Sequence, residues 1–234
     1  MNRRRAIPEP ALQPGTPERI LDAAERLFLE KGFRGASLRE LTSAAGVNLA
    51  AVGYHFGGKN ELLRSVLERR LEPVNRERVL RLDAIEAGWR RGQQRALEPV
   101  LAALLEPAFA AMRADLESRD IATLLYSEPH EHMRELVESL FGECAKRFHA
   151  ALARVLGRAD AAALALRFQM VIGAMIHFLA GRHRLSPAPS GVTTVVPERV
   201  VLDEMIAFLA AGLRAPARPK IRTRRVANPV ETPR

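Results

Sequence analysis

An all-α fold follows from three features of the sequence. Apolar residues recur at intervals of three and four through most of the chain. No run alternates with period two in the manner of a half-buried strand. Helix-start signals stand ahead of the early periodic segments: Thr16-Pro17, the box Ser37-Leu38-Arg39-Glu40, and Asn48. With 234 residues, 47% apolar and 27% charged, the chain can bury a core in one or two domains, which excludes wholesale disorder.

Residues 1–15 hold three prolines and the triplet Arg3-Arg4-Arg5 without an apolar period, and read as a flexible arm. Thr16 as N-cap with Pro17 at the first position opens a helix whose stripe is Ile20, Ala24, Leu27 and Phe28, ending at Gly32. Ser37 to Glu40 is a capping box opening a short helix with Leu38, Leu41 and Ala45, and Gly46 stops it. Asn48 caps a third helix from Leu49 to about Phe56. Gly57-Gly58-Lys59 leads into a fourth with Leu62, Val66 and Leu67, which Pro73 is expected to bend or interrupt. Further helices are expected at about 97–113, 118–127, 131–156, 159–183 and 198–214, with a surface loop at 184–197 and a disordered tail at 215–234.

Charge is unevenly placed. The net charge is +9, and Lys+Arg against Asp+Glu runs 18 to 12 over residues 1–95, 11 to 14 over 96–213, and 7 to 1 over 214–234. Basic ends on a mildly acidic middle suggest a polyanion-binding region joined to a body with a different task. The single cysteine, Cys144, excludes an intrachain disulfide and fits a cytoplasmic protein. The nearly apolar stretch 168–181 is shorter than the ~20 residues of a membrane span, so no membrane partner is expected.

The pair of short helices from Ser37 to Phe56, joined at Gly46-Val47, has the shape of a helix-turn-helix, with Leu41, Ala45, Val47 and Val52 as its internal wedge. Its setting is more specific. Arg19 to Phe28, then Gly32-Phe33, Ser37 to Leu41, Ala45-Gly46-Val47, and Tyr54-His55-Phe56-Gly57-Gly58-Lys59-Asn60-Glu61-Leu62-Leu63 together resemble the TetR family of bacterial transcriptional repressors. The resemblance is close over residues 17–67.

It implies a DNA-binding domain at 16–67 and a ligand-binding and dimerisation domain at 68–214, whose last two long helices form a four-helix dimer interface. It also implies that the helix from Asn48 to Phe56 enters the major groove, with Leu49, Ala50, Ala51 and Gly53 facing base edges. Ser37, Tyr54, His55 and Lys59 match positions that hold phosphates, and Arg39 one that reaches a base or a phosphate. The chemistry agrees: a helix N-terminus at Ser37, a phenol at Tyr54 and an ammonium at Lys59 suit phosphate oxygens. Gly53 stands where a polar or aromatic residue is common, so readout leans on methyl contacts, Arg39 and DNA shape. The run Val47 to Lys59 particularly resembles members that respond to fatty acids or acyl-CoA.

The partners so implied are an operator duplex, a second copy of the chain and a small apolar effector, with no cofactor and no catalysis. Candidate effector contacts are Phe109, Met112, Arg113, Tyr126, Phe148, Phe168, Met175, His177 and Phe178, flexible or aromatic residues of the long helices. Arg113, Arg167 and His177 are the candidate partners of an acidic head group, Leu209 falls in the expected dimer seam, and Trp89 near the expected domain junction. Glu128-Pro129-His130-Glu131-His132 has metal-ligand residue types, but adjacent side chains do not converge on one face of a helix, and a helix start explains them better. Cys144 has no activating base beside it in the sequence. The rival reading is an architectural DNA-binding protein without an effector, coating DNA through its basic tail.

Overall fold

The computed structural model describes residues 15–114, Leu124, 130–157, 160–180 and 197–216, and of 130–134 the backbone only. The expected N-terminal arm, the segment at 118–127 with Tyr126, the Glu128 to His132 side chains, and nearly all of the loop at 184–197 and the tail lie outside these residues. Among the described residues the structure is helical throughout. The helices are α1 (Thr16–Gly35), α2 (Leu38–Ala45), α3 (Leu49–Phe56), α4 (Lys59–Arg90), α5 (Leu97–Ala114), α6 (His130–Leu156), α7 (Ala161–Leu179) and α8 (Glu198–Arg214).

The chain divides into two compact units, one of residues 1–73 with 115–140, the other of 74–114 with 141–234. Neither is contiguous in sequence. In the first, α1, α2 and α3 pack on one another around Ile20, Phe28, Leu41, Val52, Leu62 and Leu67, each contributing about 1.5–3 kcal/mol by leaving water. Leu124, Leu136 and Leu140 join that core from far along the chain, and Arg64 Nη1 donates to Ser139 Oγ at 2.8 Å.

Local signals explain the ends of these helices, with two corrections. Helix α1 begins at Thr16, so the N-cap is Gly15 and Thr16 makes no cap bond. Gly32, at φ 72°, breaks the helical path, and a last turn runs on to Gly35. Pro73 does not interrupt α4, which is continuous from Lys59 to Arg90. The missing amide and the ring's clash with the preceding turn cost about 3 kcal/mol in a helix interior. Burial of Leu62, Leu63, Val66 and Leu67 before it and Leu82 after it offsets that cost.

In the second unit α5 packs against α7 and α8, which also pack together. Phe148, Leu152, Leu101 and Leu105 are fully buried there. Arg147 bridges Asp83 (2.6 Å) and Glu86 (3.1 Å), Arg154 reaches Glu86 at 2.5 Å, and Arg214 forms a two-pronged pair with Glu98. Helix α7, 19 residues, is long and apolar enough to cross a bilayer by length and composition, a longer apolar element than the stretch from 168 marked in the sequence.

Candidate nucleic-acid interface

The turn between α2 and α3 is built from its own residues. Ser37 Oγ accepts from the Glu40 amide at 3.2 Å, and Glu40 Oε2 accepts from the Ser37 amide at 3.0 Å, closing the capping box. Gly46 adopts the left-handed conformation, φ 64°, ψ 38°, that lets the chain reverse. Asn48 Oδ1 then accepts from the Ala51 amide at 2.9 Å and starts α3.

This fixes which side of α3 is free. Val52 is buried against the core, and Ala51 packs partly on it. Leu49, Ala50, Gly53, Tyr54 and His55 face outward, Tyr54 with 86% of its surface exposed. Ala51 therefore does not share the outward face expected of it, because its position beside Val52 turns it toward the core edge. Asn48 is exposed but its carboxamide oxygen is committed to the cap. A large exposed aromatic on an eight-residue helix is poorly explained by the unit's own packing.

The surrounding groups suit an anionic partner. Ser37 Oγ also donates to Glu40 Oε2 at 2.8 Å, so its hydroxyl serves the cap, and the first amides of α2 remain as donors. Glu40 would repel a phosphate, but Lys31 Nζ lies 2.8 Å from its carboxylate. That ammonium, with the Ser37 hydroxyl and amide, holds the Glu40 carboxyl at about 2 against an ordinary 4.5. Lys59 Nζ sits 4.5 Å above the Phe33 ring, and the His55 ring stands edge-on to Tyr54 at 5.0 Å. Arg39 is exposed. Phe56 packs against the core.

Sequence reasoning missed Glu25. It is 4% exposed on the buried face of α1 and paired by both Arg69 and Arg70 of α4, with Arg69 also 2.7 Å from Asp22. A cleft of about 490 Å³ lined by Asp22, Glu25, Arg26, Arg69 and Arg70 marks this network. Glu25 falls in the period of Leu21 and Phe28, a carboxylate inside an apolar stripe, which was the available signal.

The expected effector contacts separate in the second unit. Phe109, Phe148, Phe168 and Met175 are buried, while Met112 and Phe178 are half-buried. Arg113 is exposed, 3.5 Å from Glu198, and His177 is exposed beside the Phe178 ring. Arg167 donates to the Leu213 and Pro216 carbonyls at 2.9 and 3.0 Å. The three expected anion partners are thus surface groups or helix-end ties.

The buried cation is Arg78, which the sequence reading passed over. It is 3% exposed, with Nε donating to Leu104 O at 2.8 Å, Nη1 to Asn75 Oδ1 at 3.0 Å and Nη2 to Met175 Sδ at 3.3 Å. Burial pushes its pKa down. Cys144 lies close enough to feel its charge; burial raises that thiol against the pull of Arg78 and Arg147. Arg78 stands in the stripe Val74, Arg78, Leu82, Ile85, Trp89, again a charge at an apolar position. Trp89, also on α4, belongs to this unit.

A capped helix-turn-helix with an outward face of small and aromatic residues, in a chain that also holds a second helical unit, defines a DNA-binding regulator. Residues 20–66 match the model of bacterial regulatory proteins of the tetR family, and residues 102–212 match that of the tetracyclin repressor-like C-terminal domain. The chain belongs to the TetR family of transcriptional regulators. It is 25% identical over 207 residues to the HTH-type transcriptional regulator BetI of Brucella suis, covering 88% of this chain and 97% of that one. Among solved structures it resembles the fatty acid degradation regulator FadR of Bacillus halodurans, with a TM-score of 0.60 and 17% identity over 87% of this chain and 99% of that chain. It also resembles FadR of Bacillus subtilis, solved in complex with stearoyl-CoA, with a TM-score of 0.59 and 15% identity over 83% of this chain and 98% of that chain. At these identities the structural likenesses establish the fold.

Proposed function

We propose that this regulator is a cytoplasmic homodimeric repressor that leaves a palindromic operator when a small, largely apolar effector binds its second unit. DNA binding is assigned to residues 16–67, and effector binding and dimerisation to 68–214. The observation that carries the DNA assignment is the outward face of α3, Leu49, Ala50, Gly53 and Tyr54, held by caps at Ser37 and Asn48. Tyr54, His55, Lys59 and the first amides of α2 meet phosphates, and Arg39 reaches a base edge or a phosphate.

Dimerisation is supported by apolar side chains left outside the second unit's core. Leu166 and Met170 on α7, with Val200 and Phe208 on α8, are exposed, Phe208 at 77%. Leu209, expected in the seam, is 6% exposed and belongs to the core of its own unit; one residue is 100° of helix, which is why the outward position is Phe208. Two FadR proteins among the structural neighbours, one with stearoyl-CoA, support an acyl effector. Release would be a population shift, requiring the effector to prefer the non-binding state.

Footprinting on genomic fragments tests the reading: one discrete palindromic site is expected, and smooth coverage would replace it with architectural coating. Lys59→Ala and Tyr54→Phe should weaken binding to all sequences alike, and Lys59→Ala should lower the salt slope by about 0.9. An unchanged slope removes Lys59 from the phosphate contacts. For the dimer, Met170→Glu with Phe208→Glu should leave each chain folded and give monomers in sedimentation, whereas persistent dimers would put the interface elsewhere.

A further inference from the structure

Arg78 is a cation placed where a cation is costly. It is buried on the α4 stripe, and among the described residues no carboxylate faces it. A guanidinium carries five N–H donors, and the partners here take three. Two of those partners are neutral oxygens. The third is the thioether of Met175, among the weakest acceptors a side chain offers. Nη1 and Nη2 each keep one proton with no partner among the described residues, and guanidinium donors suit a carboxylate.

The surroundings are those of a ligand's body rather than of a structural ion pair. Met175 lies on the α7 stripe with Val171 and Phe168, all buried. At the far end of that stripe, roughly 10 Å along the helix, His149 stands edge-on to Phe168 with Nε2 buried and without a hydrogen-bond partner. Flanking a single apolar row are thus an uncompensated cation and a stranded polar atom. Met175 is unbranched and mobile at its tip, suited to give way to a stronger acceptor.

We infer that Arg78 anchors the head group of the effector, and that the effector is a free carboxylic acid with an apolar body lying along the Met175–Phe168 row. This rests on the reading of the chain as an effector-responsive regulator and narrows it. A CoA ester has no carboxylate at the end of its acyl chain, and its large polar head does not suit an anchor that is buried.

The test compares laurate, dodecanol and lauroyl-CoA on the full-length protein, below their micellar concentrations, by calorimetry and Trp89 fluorescence. Laurate should bind at least about tenfold more tightly than dodecanol, a difference the charged bond can supply. Arg78→Gln should abolish that preference while leaving dodecanol binding unchanged, and Arg78→Lys should retain part of it. Without ligand, Arg78→Gln should melt at or above the wild-type temperature, because a merely structural tie would lower it. Equal binding of laurate and dodecanol, binding of neither, preference for lauroyl-CoA, or an Arg78→Gln variant that keeps the laurate preference overturns the inference. If Arg78→Gln does not fold, loss of the preference only in part by Arg78→Lys supports it and full retention overturns it. A laurate preference without release from the operator would leave the anchor standing and remove the repressor mechanism.

Discussion

Each unit buries one formally charged side chain among its described residues, and the two are treated in opposite ways. Glu25 in the first unit is enclosed by Arg69 and Arg70, each still partly in solvent, so its charge is answered within the fold. Arg78 in the second has a backbone carbonyl, an amide and a thioether, so its charge is not. The first arrangement ties α1 to α4 within the unit that carries the helix-turn-helix. The second leaves polar capacity inside the unit to which effector binding is proposed. One chain uses a buried charge as a strut in one place and as an open valence in another.

The comparison breaks most visibly if the strut is removed from its cationic side. Replacing Arg69 and Arg70 together by Met leaves Glu25 buried beside Asp22 without a partner. A loss of about 3–5 kcal/mol is expected in denaturant unfolding. Glu25→Gln should cost less, since both arginines can turn to water. Arg78→Met should cost little or nothing, and a loss as large as that of the double variant would make Arg78 a strut too and erase the contrast.

A second effect sharpens the comparison from the side of local geometry. Gly46→Ala places a Cβ with room to spare, 3.9 Å from the Arg19 guanidinium, but at φ 64°. The cost is therefore conformational, about 1–2 kcal/mol, and Gly46→Asn should recover part of it. Equal losses for both variants would point to crowding instead. Ser37→Ala removes the cap and should cost about 1 kcal/mol, read as a lower melting temperature with weaker DNA binding.

The same contrast explains what the sequence revealed. Boxes, caps and turns are coded within three or four residues, so Ser37, Gly46 and Asn48 were legible, and the outward face of α3 followed with Ala51 as the exception. Glu25 and Arg78 were not read, because their roles depend on residues far along the chain: Arg69 and Arg70 for one, Leu104 and Met175 for the other. The helical period located their stripes but cannot say what faces a charge across a core. For the same reason the period marked Leu209 but not which neighbour stays outside the core: Leu209 is buried in its own unit and Phe208 is exposed. Pro73 does not interrupt α4, because its local penalty is smaller than the packing on both sides of it.

The smallest expected effect concerns the surface pair that shields the interface. Glu40 is held at about 2, first by Lys31 and then by Ser37. Because its folded value lies below the ordinary 4.5, its contribution is complete above the ordinary value and is lost as pH falls through the folded one. Near neutrality it should therefore be insensitive to pH, and the loss should appear only in strong acid. Lys31→Met removes the principal cause, so a carboxyl titration followed by NMR should show the Glu40 midpoint move up toward its ordinary value while Ser37 keeps part of the depression. DNA binding should weaken slightly and uniformly, because Glu40 would then face the phosphates without its neutralising ammonium. An unmoved midpoint would assign the shift to the capping box alone and leave Lys31 without a part in the interface.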